Sequence, residues 1–194
     1  MALALLAAAA AALIVAVAAL GGGSGPRLNA DAIDPTQPAP ATIGRDSTGA
    51  RVAVPVAGRP ALVTFLYTDC PDVCPLTAQE ISLALDRAGP DVAGRIDVVA
   101  ISVDPRGDTP AAVREFLARH RLTGRMRYII GSKAELAPLW SSWHIAAQQG
   151  PPTASIHSAR LVLVDRDGRQ VGAYATALPI DIDGLAADIR ALTG

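Results

Sequence analysis

ALVTFLYTDCPDVCPLTAQEISLALDRAGP, residues 61–90, holds a strand pattern, a turn and a helix pattern in direct succession. Ala61–Leu66 is a short, nearly continuous apolar run, which reads as a strand buried on both faces. The period then changes. Across residues 77–88, Ile81, Ala84, Leu85 and Ala88 share one helical face, while Gln79, Asp86 and Arg87 can face water. Gly89 and Pro90 stop the helix. Between strand and helix lie Cys70 and Cys74.

The same alternation continues downstream. Residues 96–103 include Ile96, Val98, Val99, Ile101 and Val103, a β-branched run suited to a central strand. A helix follows, capped by Asp108 or Thr109, with Pro110 in its first turn and Val113, Phe116 and Leu117 as its buried stripe. Residues 126–130 read as a short strand, and Ser132 with Glu135 forms a capping box that opens a helix toward Trp143. Residues 160–164 and 169–174 flank Asp165-Arg166-Asp167-Gly168, a hairpin signal, and a last helix starts near Asp183. This βαβαβα series followed by a hairpin and helix predicts an α/β domain of thioredoxin-like layout, a central mixed sheet flanked by helices.

The whole chain has 194 residues, 51% of them hydrophobic, with 17 Lys+Arg against 18 Asp+Glu. The near-neutral balance argues against a nucleic-acid binder, and the apolar content argues against a disordered chain. The first 26 residues carry no charged side chain. Residues 2–20 are unbroken apolar sequence, long enough as a helix to reach roughly 28 Å, so an N-terminal hydrophobic helix is expected as a membrane anchor. An Ala-x-Ala step at residues 16–18 offers the alternative of a cleaved signal. Residues 21–40, rich in Gly and Pro, read as a linker, and residues 41–194 as the folded domain. The domain is expected in the extracytoplasmic, periplasmic compartment, held at the face of the cell membrane by an anchor or secreted to that compartment after cleavage.

Cys70 and Cys74 sit where helix-end amides and the helix dipole favour thiolates. A disulfide closing so small a loop would stabilise the fold by only roughly 2 kcal/mol. A structural zinc site lacks a second cysteine pair. A peroxiredoxin-type peroxidase would need Pro and Thr where Val63 and Tyr67 stand. Two soft thiolates in one loop instead invite Cu(I), and a neutral imidazole would complete a site able to hold Cu(II) as well. Of the histidines, His120 closes a helix and His144 sits beside Trp143, both in ordinary structural settings. His157, in an irregular stretch after Gly150, Pro151 and Pro152, is the strongest ligand candidate.

The chain resembles the Sco (SenC) family of copper-binding proteins that help assemble the copper site of cytochrome c oxidase. The resemblance rests on Cys70 with Pro71-Asp72-Val73-Cys74-Pro75, on residues 103–110 (VDPRGDTP), and on His157-Ser158 with residues 163–168 (LVDRDG). It implies that Cys70, Cys74 and His157 bind one copper ion, the cysteines also cycling between dithiol and disulfide. It further implies oxidase subunit II or another copper-acceptor protein as partner, with an upstream copper donor or thiol reductant. One departure stands out: Ile156 precedes His157 where the family carries Asp. The alternative function from another class is a thiol-disulfide oxidoreductase, Cys70 and Cys74 forming the redox-active pair that keeps acceptor cysteines reduced.

Overall fold

A computed structural model describes residues 27–34, 37–145 and 160–194. Its strands are β1 (Asp31–Ala32), β2 (Thr42–Asp46), β3 (Arg51–Val54), β4 (Ala61–Leu66), β5 (Asp97–Ser102), β6 (Arg127–Ile130), β7 (Arg160–Val164) and β8 (Gln170–Ala175). The helices are α1 (Val73–Ala88), α2 (Pro90–Ala93), α3 (Pro110–Arg119), α4 (Lys133–Ser142) and α5 (Ile182–Thr193). One mixed sheet runs in the order β1-β8-β7-β4-β5-β6-β2-β3. Its centre, β4-β5-β6, is parallel, and β7 joins β4 antiparallel on the other side. The α/β layout expected from the alternating periods is therefore present.

Strand β4 shows why its sequence carries no polar face. Leu62 and Leu66 enter a core shared with Ala78, Ile81 and Leu85 of α1, Val113 and Phe116 of α3, and Leu185 and Ile189 of α5. Ala61, Val63 and Phe65 enter a second core on the opposite face, against Leu136 and Trp140 of α4 and Trp143 just beyond it. Helices thus cover both faces of the parallel centre, the arrangement such strands require. Trp140 and Trp143 also satisfy their indole N–H groups, donating to the Ser102 carbonyl at 2.8 Å and to Thr42 Oγ1 at 2.7 Å.

The Ser132–Glu135 capping box forms as read, and Thr109 rather than Asp108 caps α3, accepting from the Ala112 amide. The hairpin β2–β3 was not foreseen. Its turn is organised by the buried Asp46, which accepts from the Thr48 and Ala50 amides and from Arg127 Nε. The Asp46-Ser47-Thr48-Gly49 run, with Gly49 at φ 85°, is the signal that marks it.

The linker expected over residues 21–40 needs correction. Within the described residues, Asn29 to Ala32 and Gln37 to Ala39 are seated on the domain. Strand β1 pairs with β8, the Gln170 amide donates to the Gln37 carbonyl, and the Ala39 amide donates to the Gly168 carbonyl. Buried Asp188 of α5 accepts from the Asn29 amide at 2.7 Å, Asn29 Nδ2 at 2.8 Å, the Ala30 amide at 2.9 Å and Tyr174 Oη at 2.7 Å. Proline removes a donor but leaves neighbouring amides and carbonyls free to pair with an edge strand. Composition in the linker carries no trace of a carboxylate that lies far along the chain.

Residues 2–20 lie outside the described residues. Among the described residues, no helix is long and apolar enough to cross a membrane.

Asp188→Ala strands the buried Ala30 amide and the Tyr174 hydroxyl without an acceptor and frees Asn29, so it should destabilise the domain by about 3 kcal/mol. The check is the urea midpoint of the variant against the parent; an unchanged midpoint at equal slope would contradict the clamp.

Candidate metal centre

The chain leaves β4 at Leu66, turns through Tyr67 to Asp72, and enters α1 at Val73. The helix starts earlier than the apolar stripe indicates, because Pro75 is tolerated in a first turn where its missing N–H costs nothing. Cys74 is consequently a helical residue. It faces the core with Ala78 and Ile81 and is only 6% exposed. Cys70 remains in the turn, half-buried, its amide donating to the Tyr67 carbonyl at 3.4 Å. Both are free thiols.

The start of α1 has an unusual cap. Asp72 occupies the N-cap position but makes no side-chain capping bond. Instead the Cys74 amide donates to Cys70 Sγ at 3.3 Å. A sulfur thus fills the place that an Asp or Ser oxygen takes at most helix starts, and it meets the positive end of the helix dipole there.

These contacts split the two thiols. The Cys70 thiol is pulled down to about 5, first by a hydrogen bond from the Cys74 thiol, then, against the cost of burial, by the Asp72 and Cys74 amides and by Tyr67. Cys74 is pushed above the ordinary thiol range, first by giving its proton to that same bond and then by burial, with the Asp108 charge adding to both. Tyr67 is held neutral by burial and by its bond to Cys70. Near neutral pH the pair is therefore one exposed-side thiolate and one buried thiol. Asp69 and Asp72, both exposed, flank the sulfurs and favour an approaching cation.

Under the turn lies a polar hub built on Asp108, which the sequence offers only as one of two candidate caps for α3. Asp108, 4% exposed, accepts at Oδ1 from the Thr68 amide at 2.7 Å and from Thr68 Oγ1 at 2.8 Å. At Oδ2 it accepts from Ser102 Oγ at 2.5 Å and from Tyr128 Oη at 3.2 Å. The available signal was the Asp108-Thr109 doublet before Pro110: only one of the two can cap α3, which leaves the other free to point inward. Asp104 shapes the turn after β5, accepting from the Arg106 amide.

The histidines divide as follows. His120 ends α3 with its ring 4.6 Å from that of Phe116, and its buried Nε2 has no hydrogen-bond partner among the described residues. Burial, helped by Arg119, lowers its pKa, so it packs as a neutral ring rather than offering charge to the helix dipole. His144 is exposed just past α4, at φ 54°. His157 and Ile156 lie outside the described residues. Among the described residues, no group of three or more His, Cys, Asp and Glu is gathered to hold a metal. The structure brings Cys70 and Cys74 together.

Residues 45–194 match the family model described as SCO1/SenC. The chain belongs to the SCO1/SenC family. Within it, Protein SenC of Rhodobacter capsulatus is 30% identical over 117 residues, covering 57% of this chain and 50% of that protein. A Stutzerimonas stutzeri protein named for copper binding is 31% identical over 134 residues, covering 66% of this chain and 63% of its own length. These matches span less than two thirds of either relative. The copper-bound structure of Bradyrhizobium japonicum ScoI shares 31% identity, with a TM-score of 0.66 over 81% of this chain and 99% of that one. BsSco, described as a member of the Sco family of cytochrome c oxidase assembly proteins and as carrying a disulfide switch, shares the fold at TM-score 0.67. At 22% identity it covers 84% of this chain and 98% of its own.

Alkylation of the reduced protein by iodoacetamide should modify Cys70 first, its rate rising with pH to half-maximum near 5 while Cys74 stays slow. Mass spectrometry of quenched samples reads this directly. A Cys70 midpoint at 8 or above would contradict the sulfur cap.

Proposed function

We propose that this SCO1/SenC protein is a copper metallochaperone that binds one copper ion and delivers it to the copper site of cytochrome c oxidase during assembly. The observation that carries the reading is the pair of free thiols joined across the first turn of α1, one of them half-open to solvent. Cys70 and Cys74 supply the sulfur ligands and His157 the imidazole. Soft thiolates suit Cu(I), and the third ligand allows Cu(II) as well. Copper is the cargo. A shallow three-ligand site leaves a position open to an incoming thiolate of the acceptor, oxidase subunit II in this proposal, so the ion passes by ligand exchange. An upstream copper donor or thiol reductant recharges the site. Residues 2–20 tether the domain to the membrane on its periplasmic side.

The protonation states on this site set a pH dependence. Cys74 holds its proton at neutral pH and must release it to ligate, so binding is coupled to proton loss. Apparent Cu(I) affinity should therefore rise with pH, by roughly tenfold per pH unit for each proton released. Competition against a chromophoric Cu(I) chelator under anaerobic conditions checks the slope. One equivalent of Cu(I) should bind the reduced parent, and Cys70→Ser should lose most of that affinity. A Cys70→Ser protein binding Cu(I) as tightly as the parent would end the proposal.

The lowered Cys70 thiol favours a second reading, a thiol-disulfide oxidoreductase in which Cys70 attacks and Cys74 resolves. His157→Ala separates the two in an assay of oxidase copper loading. Equal loss in His157→Ala and the cysteine variants supports delivery of copper. Loss confined to the cysteine variants supports reduction of acceptor cysteines.

A further inference from the structure

We infer that Asp108 is a positioning residue of the copper site, acting through Thr68 to hold the Cys70 turn at the start of α1. The inference deepens the metallochaperone reading and rests on it. Thr68 lies two residues before Cys70, and its amide and hydroxyl both end on Asp108 Oδ1. The other carboxylate oxygen is anchored to the sheet, through Ser102 at the end of β5 and Tyr128 in β6. One side chain therefore bolts the exit of β4 to its parallel neighbour β5 and to β6 on the far side of β5. Ser102 carries the connection further by accepting from the Asp104 amide, and the Asp108 amide donates to the Asp104 carbonyl.

The chemistry is uneconomical for a purely structural peg. Asp108 is nearly fully buried, and the groups named around it are all neutral. A buried carboxylate without a cation is costly to the fold. Its distinguishing property is that it can accept four hydrogen bonds at once, two from the cysteine turn and two from the sheet. Without it, Thr68 would have no buried acceptor. The Tyr67-to-Cys70 turn would then be free to move, and the Cys70 sulfur would no longer be held at the Cys74 amide. A metal ligand on a loosened turn loses affinity, and outer partners of this kind are worth about tenfold or more.

Asn is the informative replacement. Its carbonyl can accept from Thr68 while its NH2 donates to the Ser102 and Tyr128 hydroxyl oxygens, so the scaffold survives without the charge. Thr68→Val keeps the charge and the side-chain shape while removing one bond.

The test uses the full-length reduced protein in detergent and two readouts. The first is Cu(I) affinity by chelator competition. The second needs no copper: equilibrium with glutathione, in which the Cys70–Cys74 dithiol and one glutathione disulfide give the protein disulfide and two glutathiones. Asp108→Ala should bind Cu(I) at least tenfold more weakly and shift the glutathione equilibrium at least threefold toward the disulfide. Thr68→Val should move both by about threefold in the same directions, and Asp108→Asn should stay within threefold of the parent. A folded Asp108→Ala variant matching the parent on both readouts would overturn the inference, as would an Asp108→Asn variant as impaired as Asp108→Ala. Should Asp108→Ala fail to fold, an unchanged Thr68→Val overturns it equally. If the parent itself takes no Cu(I), the metallochaperone reading fails, and the glutathione shifts alone decide the role of Asp108.

Discussion

Every α-helix begins with amide groups that have no partner inside it, and in this protein the first turn of α1 directs one of them at a sulfur. The Cys74 N–H bonded to Cys70 Sγ joins three properties in a single contact. It closes the helix, it stabilises negative charge on Cys70, and it holds the two cysteines on one turn. A side-chain oxygen at the same place would cap the helix equally well and leave no chemistry behind. The cysteine pair is thus built into the fold's own hydrogen bonding rather than added to its surface.

That contact depends on packing at some distance from it. Helix α1 is held against the sheet by Cys74, Ala78, Ile81 and Leu85, so the buried cysteine is also a core residue. The hydrogen bond that Cys74 gives to Cys70, and then burial, make Cys74 hard to ionise, and that same bond stabilises the thiolate beside it. The two sulfurs therefore differ because one belongs to the helix and the other to the turn. On the sheet side, Asp108 ties the turn to the buried Ser102 of β5 and the buried Tyr128 of β6. A rigid parallel centre, covered on both faces, gives the turn a fixed base.

Much of this was readable residue by residue. Strand β4 was legible because an apolar run bounded by turn residues has few other meanings. The Ser132–Glu135 box and the residue 165–168 hairpin were legible because their signals are local. The true start of α1 was less so, because Cys74 and Pro75 interrupt the apolar stripe by which a helix is recognised. His120 was legible as the residue that closes a helix, but not its packing against Phe116, one turn back. The seating of residues 29–32 escaped because the carboxylate that holds them is in α5.

By itself, the amino-acid sequence determined the alternation of strands and helices and the presence of two cysteines at a helix start. Those depend on spacing within a few residues, where backbone periodicity and turn chemistry leave little freedom. Tertiary structure alone decided which cysteine carries the charge, and that Asp108 serves the turn of Thr68 rather than the cap of its own helix. Desolvation and hydrogen bonding between segments forty residues apart are properties of enclosed space, and a linear chain has no enclosed space until it folds.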